Sequence, residues 1–303
     1  MDFSRLEYEK RVNRVIDHVR EHLAEDLSLE RLAQVAAFSP FHFHRIFRAI
    51  TNETLFAFIQ RLRLERAALA LIRDESVLAV ALDHGFASAA TFARAFRGHF
   101  GMSATAWRTG GAQRWSKRSK PNRKPSKAKR RGRRHGSPRT SKEDTMNVAV
   151  RELPRYRVAY MRYVGPYGPR GIPELWARFR QWMETRGLVG PDSIKLGIGH
   201  DDPDVTAPEK CRYDACVVVP ESFAGDKWVN VISVPGGKYA VGEFIGTADK
   251  IREAWEALYR SWLPGSGYQP DDRPCLEVYR GNPEVDGRPG MFRCELCVPV
   301  RPL

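Results

Sequence analysis

A basic segment near the middle of the chain divides it into two parts that must fold separately. Residues 110–142 carry 14 Lys and Arg residues and no acidic residue, which equals the net charge of +14 for all 303 residues. The segment is rich in Gly, Pro and Ser and holds almost no apolar residue after Trp115. It cannot bury enough surface to offset the entropy of ordering. We therefore predict a disordered basic linker over 110–145, between a first domain at 1–109 and a second at 146–303.

Composition narrows the class of protein. Hydrophobic residues make up 42% of the chain, enough for two packed cores, and the sequence has no run of about 20 apolar residues that would span a bilayer. All five cysteines follow residue 210, which favours reduced thiols and a cytoplasmic location. The linker arginines and lysines favour contact with nucleic acid phosphates and a steep salt dependence. A spacer kept soluble by its charge is the alternative.

The first domain contains the same helical pattern twice. Residues 29–50 read as a short helix, a tight turn and a helix that begins at Ser39-Pro40; residues 77–100 repeat this order, with the second helix beginning at Ser88. Arg45 and Arg94 occupy equivalent places in the two copies. A short helix, a turn and a capped helix form a helix-turn-helix unit. We predict an all-α domain with two such units.

The segment that joins the two units predicts how they would meet DNA. Residues 55–72 read as one continuous helix, which at about 1.5 Å per residue is roughly 27 Å long. Successive major grooves lie about 34 Å apart on one side of a duplex. Two units on one rigid connector can therefore read double-stranded DNA from a single chain, so a monomer suffices on DNA.

This domain resembles the AraC/XylS family of transcriptional regulators over about residues 6–109. The match is most specific at 85–88, 92–97 and 100–103, and includes 62–67 of the connector. The resemblance implies that both second helices read bases, with candidate residues Phe41, His44, Arg45, Ala89, Ala90, Thr91 and Arg94. An arginine can hold a guanine through two hydrogen bonds, although a solvated helix face is the alternative for each. Alanine at 89 and 90 departs from the polar side chains common in the family.

The second domain is predicted to be α+β and internally duplicated. Val150, Pro154, Ala159 and Gly165 recur 81 residues later in the sequence. Each copy reads as a hairpin of two strands, a glycine and a helix rich in aromatic residues, at 173–187 and 247–263. Two such ββα-type units side by side would form a groove at their junction, a favoured place for a ligand.

Two glutamates stand within apolar strands of this domain. Glu277 lies between Leu276 and Val278. Glu295 lies between Cys294 and Leu296, and Cys297 follows. A carboxylate in apolar surroundings is costly unless it gains a partner, and a cationic ligand would be one. An exposed strand face is the alternative for both residues.

The second domain resembles the GyrI-like effector-binding domains over about 146–301. The residues that carry the resemblance are at 163–167 and 276–279, with Glu295 followed by Pro299 and Val300. Family members bind apolar or cationic molecules in an aromatic cleft with a glutamate at its base. The resemblance therefore implies Glu277 as the leading effector-binding acid, Glu295 as the second, and Trp176, Trp255 and Tyr279 as walls.

Together these patterns predict a multidomain regulator whose partners are double-stranded DNA, a small-molecule effector and RNA polymerase. We predict no cofactor and no metal, since Cys294 and Cys297 would point to opposite faces of a strand. One alternative is a small-molecule hydrolase that uses Glu277 and Glu295 as an acid–base pair, or a ligand-sequestering protein, with an attached DNA-binding domain in either case. Another is an architectural DNA-binding protein whose second domain has no ligand.

Overall fold

The structure of the protein is a computed structural model that describes residues 3–73, 75–119, 147–285, 288 and 290–303. Side chains are described from residue 6 onward within these ranges, apart from those of Phe41, His42 and residues 116–119. No helix in the described ranges is long and apolar enough to cross a membrane.

The first domain is all-helical, as the sequence predicts. Its helices are α1 (Phe3–Glu21), α2 (Leu29–Val35), α3 (Pro40–Thr51), α4 (Leu55–Ala70), α5 (Val77–Asp83), α6 (Ala89–Phe100), α7 (Ala104–Ala106) and α8 (Ala112–Ser119). The hydroxyls of Ser28, Ser76 and Ser88 each accept a hydrogen bond from the backbone N–H three residues on, which fixes where α2, α5 and α6 begin. Helix α4 ends at Ala70, two residues before the predicted end.

Helix α4 serves as the common spine of two helix-turn-helix units. Phe58 and Leu62 pack into a core with the α3 residues Phe43 and Phe47. The second half of α4 packs into another core that contains Phe92 and its neighbours on α6. The two units are therefore held on one helix of 16 residues, about 24 Å long.

Helical structure continues past the predicted end of the first domain. A π-helical turn at Trp107–Gly111 is kinked at Gly110 and leads into α8. The ring of Trp115 lies 5.2 Å from that of Phe100, so it anchors α8 on the second core. The prediction of disorder is therefore wrong for residues 110–119. The remainder of the predicted linker, at 120–145, lies outside the described residues.

The second domain is built on one antiparallel sheet of nine strands. Its elements are β1 (Val148–Leu153), β2 (Tyr156–Val164), α9 (Ile172–Glu184), β3 (Ile194–Gly199), β4 (Arg212–Val218), β5 (Asn230–Val234), β6 (Gly237–Thr247), α10 (Ile251–Ala257), β7 (Tyr268–Pro270), β8 (Cys275–Arg280) and β9 (Met291–Pro302). The strand order is β1-β6-β9-β8-β3-β4-β2-β5, with β7 paired to β9. If each strand of one copy is exchanged with its counterpart in the other copy, the same strand order is obtained, read from the opposite edge of the sheet. The duplication therefore gives the sheet a pseudo-twofold axis between β3 and β8.

The predicted hairpins do not form, because the two copies exchange strands. Strand β1 pairs with β6, where Leu153 lies opposite Gly237, and β5 pairs with β2, where Tyr156 lies opposite Val234. The turns that follow β1 and β5 therefore meet. A Cβ at Gly236 would lie 2.6 Å from the backbone nitrogen of Arg155, so only glycine permits this approach.

The second aromatic helix also differs from its prediction. Strand β6 continues to Thr247, and α10 begins only at Ile251. A π-helical turn at Leu258–Trp262 then follows α10. Of the residues predicted to start the helix, the strand takes Thr247, and residues 248–250 form a turn before α10.

The two domains pack directly against each other. Asp17 on α1 pairs with Arg162 on β2 at 2.8 Å, and Arg162 also pairs with Asp214 on β4 at 2.7 Å. Farther along the interface, Glu53 pairs with Lys210 at 2.7 Å. The first domain is thus fixed to the second by buried polar contacts as well as by chain connectivity.

Candidate functional site

The predicted DNA-reading residues lie on exposed faces of α3 and α6. His44 and Arg45 on α3, and Thr91 and Arg94 on α6, are solvent-exposed. Ala90 is exposed as well and Ala89 is half-buried. The side chain of Phe41 lies outside the described side chains. The opposite faces of both helices are buried in the two cores, so each helix can present its outer face to a major groove.

A large cavity lies over the sheet of the second domain and reaches the first domain. Its volume is about 2270 Å³, and its walls include Trp176 on α9, Trp255 on α10 and Tyr279 on β8. These three predicted wall residues and Glu277 therefore line one cavity. Helices α1 and α4 of the first domain also contribute residues to the wall.

Glu277 is held at the centre of an aromatic hydrogen-bond network. Its Oε2 accepts hydrogen bonds from the hydroxyls of Tyr213 at 2.6 Å and Tyr279 at 2.8 Å. Its Oε1 accepts a hydrogen bond from Trp255 Nε1 at 3.5 Å. Within the described part of the chain, no cationic side chain pairs with this carboxylate. Burial raises the pKa of Glu277 above its ordinary value, against the lowering effect of the three donors.

Tyr213 links Glu277 to the opposite wall. Its hydroxyl accepts a hydrogen bond from Trp176 Nε1 at 3.2 Å while it donates to Glu277. Burial and the neighbouring carboxylate raise the pKa of Tyr213 well above its ordinary value, so this tyrosine remains a donor at neutral pH. The rings of Trp176 and Tyr279 meet edge to face at 5.4 Å, which completes a rigid aromatic surface around the carboxylate.

The strand register makes room for this network at Gly197. Gly197 on β3 lies directly opposite Glu277 on β8. A Cβ at this position would lie 2.5 Å from Glu277 Oε2 and would also overlap the Tyr213 hydroxyl. Sequence reasoning missed both Gly197 and Tyr213, because the pairing of β3 with β8 and with β4 cannot be deduced from the sequence alone.

Glu295 does not join this site. The register pairs it with Val278, so its side chain projects from the face of the sheet opposite to that of Glu277. There it pairs with Arg151 at 2.6 Å and with Arg280 at 3.3 Å. The prediction that Glu295 is a second effector-binding acid is therefore wrong. The acid–base pair of the hydrolase alternative also loses its geometric basis.

Family models match both domains. One described as a GyrI-like small molecule binding domain matches residues 146–301, and one described as a helix-turn-helix domain matches residues 32–110.

Curated relatives match the second half of the chain. The "SPbeta prophage-derived putative transcriptional regulator YosT" of Bacillus subtilis (strain 168) is 35% identical over 156 residues, which are 52% of this chain and 100% of that protein. The "Probable transcriptional regulator YgiV" of Escherichia coli (strain K12) is 33% identical over 141 residues, or 45% of this chain and 84% of that protein. The "DNA gyrase inhibitor" of the same strain is 28% identical over 160 residues, or 52% and 98%.

Solved structures match each domain separately. The crystal structure of the EcmrR C-terminal domain has a TM-score of 0.44 at 17% identity and covers 52% of this chain and 99% of that chain. The DNA-binding domain of AdpA, solved in complex with a target DNA, has a TM-score of 0.32 at 31% identity and covers 35% and 96%. From the family matches, the chain belongs to the GyrI-like family of small-molecule-binding domains and joins such a domain to an AraC-type helix-turn-helix domain that binds DNA.

Proposed function

We propose that the protein is a transcriptional regulator in which α3 and α6 read adjacent major grooves and Glu277 receives a lipophilic cation. The observation that carries the effector class is the carboxylate in an aromatic cavity with three neutral donors and no cation beside it in the described residues. A buried carboxylate without a counter-ion costs several kcal/mol. A ligand cation would supply the missing charge, and the surrounding rings would also attract it.

The effector proposal is tested by comparing a cation with a neutral molecule of similar shape. We expect calorimetry to show binding of tetraphenylphosphonium to the full chain, and Glu277→Gln to weaken it about tenfold or more, the effect of losing one favourable charge contact. Binding of neutral triphenylphosphine oxide should differ little between the wild type and Glu277→Gln. Glu295→Gln is the matched control, since it neutralises a strand glutamate on the other face of the sheet. Unaltered cation binding by Glu277→Gln contradicts the proposal.

The DNA proposal rests on two exposed arginines in equivalent places. We expect selection from random duplexes to yield a preferred site with two half-sites about one helical turn apart. Arg45→Ala together with Arg94→Ala should relax the preference for one base pair in each half-site, at about 1–3 kcal/mol each.

The control removes the same charge from the same helices. Arg48 and Arg97 are exposed three residues after Arg45 and Arg94. Their double replacement by alanine should lower affinity for all duplexes without changing which sequence is preferred. A wild-type preference in the Arg45 and Arg94 double variant would refute this placement of the readers.

We further propose that one chain occupies both half-sites, because both units are carried on α4. Sedimentation of the complex with a selected duplex should give one chain per duplex. The names of two relatives describe transcriptional regulators, which supports a regulatory role here. RNA polymerase is the partner expected for such a regulator, and a pull-down with and without the selected duplex tests it.

A further inference from the structure

The wall of the cavity that the first domain contributes contains two arginines that form no ion pair with any described residue. Arg20 on α1 and Arg66 on α4 both line the cavity. Arg66 Nη1 donates a hydrogen bond to the backbone oxygen of Arg20 at 3.2 Å. The Arg66 guanidinium therefore lies next to the backbone from which the Arg20 side chain extends. In the ranges that the structure describes, neither guanidinium has a carboxylate within 4 Å.

The other arginines of this interface form ion pairs with nearby acids. Arg162 pairs with Asp17 and Asp214. Arg212 pairs with Asp201, and both of these side chains are only 3% exposed. Arg212 and Asp201 balance each other, whereas Arg162 with its two aspartates carries one net negative charge. With Arg20 and Arg66 included, these side chains together keep one net positive charge.

Three buried nitrogen atoms at the same interface also lack partners. Within the described residues, no hydrogen-bond partner is found for Arg162 Nη1, Arg212 Nη1 or His200 Nδ1. Arg212 lies over the ring of Phe58 on α4, with its guanidinium carbon 5.9 Å from the ring centre, so it belongs to the contact with the first domain. A buried donor without an acceptor costs about 1–3 kcal/mol, and an anion or water at the interface would relieve that cost.

The electrostatic effects agree with this geometry. Burial, and then the positive charge of Arg212, lower the pKa of Arg20 to about 10 and also lower that of Arg66. Both groups still carry a full charge at neutral pH. Burial lowers the pKa of His200 to about 4, so this histidine is neutral there and adds no charge.

We infer that Arg20 and Arg66 form a binding site for a phosphate group, separate from Glu277, at the junction of the two domains. The charges of the two guanidinium groups match hydrogen phosphate or a phosphate monoester, which carries close to two negative charges at neutral pH. The planar guanidinium groups also offer paired N–H donors that suit phosphate oxygens.

The position of the site gives its ligand a direct effect on the DNA-binding domain. Arg20 and Arg66 belong to the first domain, whereas His200 and Asp201, which line the same cavity, belong to the second. A phosphate bound to Arg20 and Arg66 would reduce the repulsion among Arg20, Arg66 and Arg212. A phosphorylated metabolite would therefore stabilise the packed arrangement of the two domains.

The test is calorimetric titration of the full chain with sodium phosphate and with sodium acetate at constant ionic strength and pH 7.5. We expect one phosphate to bind per chain, and acetate to bind at least about tenfold more weakly because it carries one charge instead of two. Arg20→Gln and Arg66→Gln should each weaken phosphate binding about tenfold, the loss of one charge-assisted hydrogen bond. Arg14→Gln, which removes an exposed arginine from the same helix, should leave it unchanged.

Two further measurements show whether the variants fold and whether this site is independent of the proposed effector site at Glu277. Arg20→Gln removes a buried charge that is repelled by Arg212 and Arg66, so without phosphate its melting temperature should equal or exceed that of the wild type. Glu277→Gln should bind phosphate as the wild type does, which separates this site from the proposed effector site. Equal phosphate binding by the wild type, Arg20→Gln and Arg66→Gln would place the anion on other basic residues and overturn the inference, as would equal binding of acetate.

Discussion

At the scale of single residues, the register between β3 and β8 decides what Glu277 can bind. The sequence pattern is sufficient to identify Glu277 as an unusual carboxylate, because its neighbours on the strand are apolar. The same pattern also makes Glu295 a candidate, second to Glu277, and only the pairing of Glu295 with Val278 shows that it projects from the other face. Sequence periodicity indicates that side chains alternate but not which alternate set faces a cavity.

Gly197→Ala should damage the site while the neighbouring Gly199→Ala should not. A Cβ at Gly197 would overlap Tyr213 and Glu277, whereas one at Gly199 would lie 3.5 Å from the Tyr167 hydroxyl, an ordinary contact. We expect Gly197→Ala to destabilise the fold by about 1–3 kcal/mol, as overpacking does, and to weaken binding of tetraphenylphosphonium. Urea unfolding and calorimetry measure the two effects. Identical behaviour of the two variants would show that the close approach at Gly197 has no energetic consequence.

Glu277 should give a pH dependence of stability with a defined sign. Its pKa in the folded protein is raised by burial above the ordinary value of 4.5. The folded state then holds a proton that the unfolded state has lost, so this residue lowers stability as pH rises from about 4.5 through the raised pKa. Glu277→Gln should therefore gain in melting temperature over the wild type between pH 4 and pH 7. A constant difference across that range would mean that the carboxylate titrates normally.

At the scale of secondary-structure elements, local signals predict the helices of the first domain better than the sheet of the second. Serine caps and the Ser39-Pro40 pair mark helix starts that the structure confirms, because capping depends on residues only three positions apart. The exchange of β1 and β5 between copies depends on partners 70 to 94 residues away. Helix α8 was missed because one anchoring tryptophan stands in an otherwise basic and polar segment.

Trp115→Ala should destabilise the second helix-turn-helix unit. The Trp115 ring contacts Phe100 and lies 6.2 Å from the Trp107 ring. Because the side chain is half-buried, we expect a loss of about 2 kcal/mol, below the range for fully buried tryptophan. Denaturant unfolding of the full chain measures it, with the exposed neighbour Arg114→Ala as a control expected within about 0.5 kcal/mol of wild type. No difference between the two variants would indicate that α8 contributes nothing to the core.

At the scale of the whole molecule, the packing of the two domains could not be predicted from the sequence. The basic composition of the linker predicts independent domains on a flexible connection. Asp17, Arg162 and Asp214 lie far apart in the chain, and nothing in their local patterns indicates that they meet. Helix α1 forms part of the cavity wall and also carries Asp17 of this buried cluster. A ligand in the cavity can therefore act on the DNA-binding domain through direct contact with α1.

Asp17→Asn should loosen the packing of the domains. Asp17 accepts hydrogen bonds from the Tyr160 hydroxyl and from Arg162 Nη2, and Arg162 is only 1% exposed. Asp17→Asn removes one of the two carboxylates that contact Arg162, while Asp214 still pairs with it. We expect a cost of about 1–3 kcal/mol, that of one charge-assisted hydrogen bond. Glu7→Gln is the control on the same helix, since its ion pair with Arg11 is only half-buried and contributes at most about 1 kcal/mol. We expect calorimetric melting to show one transition for the wild type and for Glu7→Gln, but two for Asp17→Asn, with a larger radius of gyration in solution scattering. If Asp17→Asn instead melts in one transition with an unchanged radius, the packing of the domains does not depend on this cluster and coupling must run through the cavity walls alone.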